Sequence, residues 1–293
     1  MDERAALRLL GDRLDRAGDD AAVVDGTVVT TDMLHETTDF PAGTTRYTAG
    51  WRAVGASLSD VAAMGARATA AVAVYGAPSF DPEALLAFVD GASEVCEAVG
   101  AEYVGGDLDG HEEFTVATTA LGETDAPVLR SGAEPGDAVC VTGTLGRSAA
   151  AIDLFREGAH ERANDLFRFT PRVADGVALA PHATAMMDSS DGLARSLHQL
   201  AEASDCGFDV DGAALPVDPV VREVAGSDRE VRRMATTFGE DFELVCTVPE
   251  DRLAAAREAC PTDLVRVGEA TEAGVRLDGE PLADEGWTHG GTG

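Results

Sequence analysis

Apolar residues recur at helical spacing over two long stretches of the N-terminal half of the chain. Over residues 46–66 they fall on one face of a predicted helix, at Trp51, Val54, Leu58 and Val61. A second helix is predicted to begin after the capping residue Asp81 and to run to Gly100. Shorter apolar runs between turn residues predict strands. The other elements predicted in this half are a helix at 4–16 and strands at 23–25, 27–34, 69–75, 103–104 and 114–121.

The C-terminal half again alternates strands with helices. It is separated from the first half by residues 124–136, which contain two prolines and two glycines and show no periodicity. We therefore predict two domains, residues 1–130 and 131–293, and an α/β (mixed α+β) fold of two sandwiches. The second domain is predicted to contain strands at 138–142, 185–188, 207–210, 243–248, 264–267 and 274–277. Its helices are predicted at 147–157 and onward to about 180, at 192–204, at 218–235 and at 250–259.

The charge balance is far from that of an average protein. Fifty-three acidic residues oppose 22 basic ones, which gives a formal net charge of −31. The acids are spread along the whole chain, a distribution that favours a protein adapted to a high-salt cytoplasm, where self-repulsion is screened. A GC-rich genome, which favours arginine and alanine codons, is the alternative explanation. Nucleic acid is not expected as a partner, because no basic stripe is present to neutralise phosphates.

All the basic residues are arginine, and the absence of lysine excludes several enzyme classes. A Walker P-loop and a protein-kinase-like fold each need a lysine on the phosphates. Pyridoxal enzymes and Schiff-base aldolases need a lysine amine. A chain of this composition that handles ATP must therefore neutralise phosphate charge with metal ions and arginine.

The cysteine and hydropathy patterns bear on the cellular compartment. The five cysteines form no CxxC pair, and those at 96, 140 and 246 lie in apolar runs that predict a reduced core. We find no signal peptide pattern and no apolar run of about 18 residues, so no membrane span is predicted. The expected location is the cytoplasm.

Six short acidic motifs, most of them flanked by glycine or alanine, carry the candidate chemistry. Small neighbours allow a ligand to approach the carboxylates closely. If several carboxylates converge, two unit charges ~4 Å apart repel by about 4 kcal/mol at an effective dielectric near 20. Such a group must hold protons or cations, and hard divalent cations bound through oxygen are favoured at neutral pH. The motifs lie at residues 18–22, 30–33, 58–66, 104–107, 188–193 and 239–244.

The order and spacing of these motifs resemble the thiamine-monophosphate kinase family. Two further segments, Arg130–Asp137 and Val141–Ala150, strengthen the resemblance, which extends from about residue 18 to residue 287. It implies the two-domain fold shared with aminoimidazole ribonucleotide synthetase, with N-terminal domains that pair in a homodimer. It also implies that several Mg²⁺ ions hold ATP, whose γ-phosphoryl group is transferred to thiamine monophosphate. The acceptor phosphate has a second pKa of about 6, so no general base is expected.

The resemblance also implies roles for individual residues. The Mg²⁺ ligands would be Asp20, Thr30, Thr31, Asp32, Asp60, Asp107, Asp188 and Asp191. ATP would contact Gly106, Asp107, Arg130 and Ser190. Glu240 and Trp287 match positions that contact the thiamine moiety, and Asp39 stands at a position that is expected to contact the substrate. Asp39 is a departure, because the family usually has histidine at this position.

Two alternatives remain open at this point. One is another ATP-dependent enzyme of the same fold that acts on a different acceptor. The other is a non-catalytic acidic protein whose carboxylates bind metal or serve only salt tolerance. That second alternative predicts random placement of the acids, whereas these acids stand beside glycines at the ends of predicted strands.

Overall fold

A computed structural model describes residues 9–11, 13–14 and 16–286 of the chain. Within the predicted helix at 4–16, residues 9–11 are helical, whereas 13, 14 and 16 are not. The rest of that helix lies outside the described residues. None of the helices in the described part of the chain is long and apolar enough to cross a membrane.

The N-terminal half forms a five-stranded sheet with the strand order β1-β2-β5-β3-β4. Strand β3 is antiparallel to β5 and parallel to the edge strand β4. The strands are β1 (Ala22–Val24), β2 (Thr27–His35), β3 (Arg67–Ala77), β4 (Glu102–Gly110) and β5 (Thr115–Glu123). The helices of this half are α1 (Glu36–Asp39), α2 (Arg46–Ala63) and α3 (Pro82–Ala98).

One face of this sheet is covered and the other is open. Helices α2 and α3 pack on the inner face, where they form the larger core with inward residues of β3 and β5. The two helices approach closely: a Cβ at Gly50 would lie 2.1 Å from the carbonyl oxygen of Phe88. On the outer face, Met33, Val74 and Leu121 are exposed apolar side chains.

The C-terminal half forms a seven-stranded mixed sheet with the order β12-β11-β8-β10-β6-β9-β7. Residues 124–137 connect β5 to β6 and therefore join the two sheets. The strands are β6 (Ala138–Thr142), β7 (Ala185–Asp188), β8 (Gly207–Val210), β9 (Leu244–Val248), β10 (Leu264–Thr271), β11 (Gly274–Leu277) and β12 (Glu280–Pro281). The helices are α4 (Arg147–Arg156), α5 (His160–Phe167), α6 (Val173–Leu179), α7 (Leu193–Ser204), α8 (Pro219–Val224), α9 (Asp228–Thr236) and α10 (Leu253–Ala259).

The predicted mixed α+β class is confirmed, and most predicted elements have counterparts. The continuous helix predicted at 218–235 is wrong, because the segment is divided into α8 and α9, with Ser227 capping the second helix through its hydroxyl. The helical stretch predicted to reach about 180 is likewise divided into α4, α5 and α6. The short α1 and β12 were not predicted. The division into domains at residue 130 stays a prediction.

Candidate active site

Three of the predicted metal ligands converge where the two halves of the chain meet. Asp20 precedes β1, Asp60 lies near the end of α2, and Asp188 is the last residue of β7. One carboxylate oxygen from each of the three lies within 4.8 Å of the others. The three residues come from segments far apart in sequence, so the fold itself assembles the cluster.

Burial and neighbouring carboxylates raise the pKa values of Asp60 and Asp188. Burial raises the pKa of Asp60 well above its ordinary value, and the charges of Asp32, Asp188 and Asp20 raise it further. Burial and the charge of Asp20 raise the pKa of Asp188 to about 6. The arrangement is therefore costly with every carboxylate ionised, and a bound cation would relieve that cost.

Arg130 supplies a fixed positive charge beside the cluster. Its Nε and Nη2 each lie 3.1 Å from a carboxylate oxygen of Asp20. Burial by itself would lower the pKa of Arg130, but the carboxylates of Asp20, Asp188 and Asp60 outweigh it and the pKa is raised. The backbone N–H of Arg130 donates to Asp19 Oδ1 at 2.8 Å.

The alternation of strand β2 places two predicted ligands beside the cluster and one away from it. Thr30 and Asp32 lie on the face toward α2, where Thr30 Oγ1 donates to Asp60 Oδ2 at 2.6 Å and Asp32 Oδ2 accepts from Ser57 Oγ at 2.6 Å. Thr31 is exposed on the other face, and its hydroxyl donates to the carbonyl oxygen of Thr118 at 2.8 Å. The side chain of Thr31 therefore does not face the cluster.

The donor set fits a hard divalent cation. Asp188 is 1% exposed, and its Oδ2 has no hydrogen-bond partner among the described residues. The other oxygen, Oδ1, accepts from the backbone N–H of Ser190 at 3.1 Å and from its hydroxyl at 2.7 Å. A buried carboxylate oxygen without a donor, facing two more carboxylates, is suited to Mg²⁺.

The turn after β7 also carries Asp191. It is half-buried and lies three residues beyond Asp188, outside the cluster of three carboxylates. The carbonyl oxygen of Ser190 in the same turn accepts the backbone N–H of Glu240 at 2.7 Å. The turn thus links the carboxylate cluster to the segment that carries a predicted substrate contact.

Gly106 and Asp107 lie elsewhere in the structure. In the sheet register Asp107 pairs with Val74, an exposed residue of the outer face, so it stands on the side opposite α2. Strand β4 is three strands from β2, or roughly 14 Å at ~4.8 Å per strand. The fold therefore does not bring Asp107 to the carboxylate cluster within one chain.

A groove runs beside Gly106 and Asp107, between β4 and α3. It has a volume of about 620 Å³ and is lined by aromatic and small residues, among them Ala73, Tyr75, Phe88 and Tyr103. A Cβ at position 106 would lie 1.7 Å from the carbonyl oxygen of Ala73, so glycine permits the close contact of β4 with β3.

The predicted substrate residues Asp39 and Glu240 both lie near the buried Arg52. Glu240 Oε2 accepts a hydrogen bond from Arg52 Nη2 at 2.9 Å, and the negative charge of Asp39 acts on the same guanidinium. Oδ2 of Asp39 accepts from the backbone N–H of His35 at 2.7 Å. Oδ1 of Asp39 is buried without a hydrogen-bond partner in the described part of the chain. Trp287 lies outside the described residues.

Sequence reasoning missed three residues of this region. Arg52 and Ser57 lie on α2, and Asp241 accepts the backbone N–H groups of Gly146 and Ser148 at the start of α4. A signal for Arg52 was present, because it and Asp60 are the charged residues within an otherwise small and apolar stretch of that helix. Asp241 lies in the acidic motif at 239–244, but the motif does not reveal its partners, which are almost a hundred residues away.

Comparison with known proteins was made by sequence and by structure. Residues 18–124 match the family profile of AIR synthase related protein, N-terminal domain, and residues 134–279 match that of AIR synthase related protein, C-terminal domain. A thiamine-monophosphate kinase from Halobacterium salinarum is 67% identical over 99% of this chain and 100% of that relative. Another, from Methanospirillum hungatei, is 38% identical over 99% of each. The solved structure of AaThiL complexed with AMPPCP and TMP has a TM-score of 0.89 at 29% identity, over 98% of this chain and 97% of that chain.

Proposed function

Since the chain belongs to the thiamine-monophosphate kinases, within the AIR synthase related proteins, it is a kinase, and we propose that it transfers the γ-phosphoryl group of ATP to thiamine monophosphate. The products are thiamine diphosphate and ADP. The observation that carries the proposal is the cluster of Asp20, Asp60 and Asp188 beside Arg130. The related structure with AMPPCP and TMP supports an ATP-like donor and this acceptor. Family membership argues against the non-catalytic alternative.

We propose that Mg²⁺ binds at the carboxylate cluster, with Thr30 and Asp32 beside it. When bound, the metal supplies positive charge that offsets both the carboxylates and the phosphates of the two substrates. Thr31 would contribute a main-chain oxygen, since its hydroxyl faces away. Asp191 and Asp107 remain proposed ligands from outside the cluster.

The chain's own residues bind and orient the two phosphates. The acceptor phosphate is largely deprotonated at neutral pH, because its second pKa is about 6, so no side chain has to remove a proton from it. In-line transfer then depends on position and on charge neutralisation. Arg130 is a fixed cation beside the cluster, and its guanidinium can donate to phosphate oxygens as it does here to Asp20. Ser190, whose hydroxyl donates to Asp188, would contact the same phosphates.

We propose that the adenosine part of ATP enters the groove between β4 and α3. Aromatic residues line that groove, and Gly106 and Asp107 stand at its edge. Strand β4 beside the groove is three strands from β2, which lies next to the carboxylate cluster, so we infer that one chain does not provide both parts of an ATP site. The apolar outer face, with Met33, Val74 and Leu121, supports a homodimer in which a second copy supplies the groove.

The thiamine end of the acceptor fits the region of Glu240. Its thiazolium ring carries a positive charge, and the carboxylates of Glu240 and Asp39 stand near one another around Arg52. Trp287 would add an aromatic face to this cation.

The direct test is an assay at high KCl with Mg²⁺ and ATP, offering thiamine monophosphate, free thiamine or another phosphorylated acceptor. We expect thiamine diphosphate and ADP in equal amounts from thiamine monophosphate alone. Phosphorylation of free thiamine, or of a different acceptor in preference, would overturn the substrate assignment. Asp60→Asn, purified in the same way, is the control for contaminating kinase activity, and its rate should be far below that of the wild type.

A further inference from the structure

Arg52 is an arginine buried at the junction of the two halves of the chain. Arg52 is 4% exposed and lies on α2, within the N-terminal half. Nη1 donates to the carbonyl oxygen of Phe167 at 2.6 Å, and the guanidinium lies 3.5 Å from the centre of the Phe167 ring. Burying a guanidinium so completely is unfavourable unless it is paired, so its partners are informative.

The charged partner of Arg52 is Glu240. The ion pair joins Arg52 Nη2 to Glu240 Oε2 at 2.9 Å, and the two residues are 188 positions apart in sequence. It therefore connects helix α2 of the first half to the loop between α9 and β9 of the second. This ion pair fixes the position of the Glu240 carboxylate relative to helix α2.

The backbone of Glu240 is held independently of its side chain. Its φ of 59° is in the left-handed region, which non-glycine residues adopt rarely. Its N–H donates to the carbonyl oxygen of Ser190, and its own carbonyl oxygen accepts from the hydroxyl of Ser148 at 2.6 Å. Because the main chain is anchored at both sides, loss of Arg52 would move the carboxylate more than the loop.

Arg52 also sets the electrostatics of this region. Burial lowers its pKa, and the carboxylates of Glu240, Asp241 and Asp39 raise it. The carboxylates of Glu240 and Asp39 by themselves set two negative charges against one guanidinium, which leaves an excess of negative charge. This excess favours an organic cation and disfavours a bare phosphate, so the region fits the thiazolium end of the acceptor rather than its phosphate end.

We propose that Arg52 is a positioning residue that holds the carboxylate of Glu240 for the cationic end of the acceptor. The proposal rests on the proposed function, because the acceptor must carry that cation. It assigns Arg52 to acceptor affinity and not to ATP. The carboxylate cluster and Arg130 remain the groups that handle ATP phosphates.

The test is steady-state kinetics on the full-length protein at high KCl, with ATP and thiamine monophosphate varied separately. The variants are Arg52→Lys, Arg52→Met, Glu240→Gln and the double variant Arg52→Met with Glu240→Gln. We expect Arg52→Met to raise the KM for thiamine monophosphate about tenfold or more, with the KM for ATP changed less than about twofold; such a ratio corresponds to one charge-assisted hydrogen bond. Arg52→Lys should recover part of the loss.

The double variant distinguishes positioning from general structural support. If Arg52 acts through Glu240, the double variant should bind the acceptor no more weakly than Glu240→Gln alone. Losses that multiply, or an equal rise in the KM for ATP, would overturn the proposal. Arg168→Met is the matched control, since Arg168 lies near by and pairs with Asp165 rather than with Glu240.

Two readouts protect the test against trivial outcomes. Thermal unfolding and Mg²⁺-dependent ATP binding by calorimetry report whether Arg52→Met is folded. If Arg52→Met does not fold, Arg52→Gln is used instead. A wild-type protein that does not phosphorylate thiamine monophosphate rejects the proposed function and this inference with it. If the wild type is active but the effects of the two single substitutions add in the double variant, only the role of Arg52 is rejected.

Discussion

Arg130 and Asp20 form a two-point ion pair, with Nε and Nη2 of the arginine each 3.1 Å from a different oxygen of the carboxylate. The side chain of Asp20 is 1% exposed, whereas that of Arg130 is 22% exposed. The arginine can therefore still be reached by a ligand, while the aspartate is closed off behind it. We therefore propose that an incoming anion meets the carboxylate cluster through Arg130.

Replacing Arg130 should weaken the use of ATP. We expect Arg130→Gln to reduce kcat/KM for ATP about 10- to 100-fold, because hydrogen bonds to a charged group contribute roughly 1.5–3 kcal/mol. Kinetics at varied ATP would check this. The control is Arg67→Gln, which removes an exposed ion pair with Glu123 and should leave the rate unchanged. Equal rates for both variants would remove Arg130 from the site.

Replacing Asp60 should separate activity from stability. Repulsion from Asp32, Asp188 and Asp20 makes the ionised Asp60 unfavourable without metal, so Asp60→Asn should unfold at a higher temperature than the wild type in EDTA. With Mg²⁺ the wild type should gain stability and the variant little. Turnover should fall about 100-fold or more. Thermal unfolding with and without Mg²⁺ checks the stability, and the kinase assay checks the turnover. A fully active variant would contradict the metal site.

A shared active site can be detected by mixing two inactive variants. Asp60→Asn affects the cluster and Asp107→Asn affects the groove, and we propose that these belong to different copies in one site. A mixed dimer would then contain one intact site. Equal mixing followed by exchange of subunits should restore about a quarter of wild-type activity, as expected for random pairing in a two-fold dimer. No recovery after verified exchange would show that each chain works alone.

Asp241 should make stability depend on pH. Burial raises its pKa to about 7, although the N–H groups of Gly146 and Ser148 lower it in part. Its unfolded pKa is about 3.9, so between those values the folded state holds a proton that the unfolded state lacks. The free energy of unfolding should therefore fall as pH rises from about 4 to about 7, and this contribution should then level off.

The matched variant for this dependence is Asp241→Asn, which does not titrate and keeps an acceptor oxygen for one of the two N–H groups, while its amide nitrogen takes the position of the other oxygen. Urea unfolding at pH 5, 6, 7 and 8 should show a smaller decline for the variant than for the wild type. Parallel curves for the two proteins would mean that Asp241 does not titrate in this range.

Salt should stabilise the protein over an unusually wide range of concentration. The formal net charge is −31, and the Debye length shrinks from about 10 Å at 0.1 M to about 3 Å at 1 M. We expect the thermal unfolding temperature to rise continuously with KCl beyond 1 M, with most of the gain from screened repulsion. Stability that is constant from 0.1 to 2 M KCl would instead favour genome composition as the cause of the acidic sequence.

The sequence allowed most strands and helices to be predicted, because periodicity and caps are local signals. Asp81 before Pro82 predicted the start of α3, and the residue range of β6 was predicted without error. Motifs identified Asp20, Asp60 and Asp188, which the fold brings together. Chain order alone gives no distances, however. The placement of Asp107 on the outer face depends on strand register, which is set by pairing across the sheet.

Buried charges were the hardest residues to interpret. Arg52 lies within the helix predicted at 46–66, but the pattern of that helix does not reveal its ion pair with Glu240, which is 188 residues away. The orphaned oxygen of Asp39 likewise becomes visible only when burial is known. Such groups are defined by contacts between distant segments, and single-sequence patterns do not report those contacts.

The position of the carboxylate cluster has a consequence for the lifetime of the enzyme. Asp60 belongs to the first half of the chain and Asp188 to the second, so one cation bound by both would hold the two halves together. Depletion of magnesium would then remove this link and expose the connecting residues 124–137 to proteases. The same ion would govern both how fast the kinase works and how long each molecule survives.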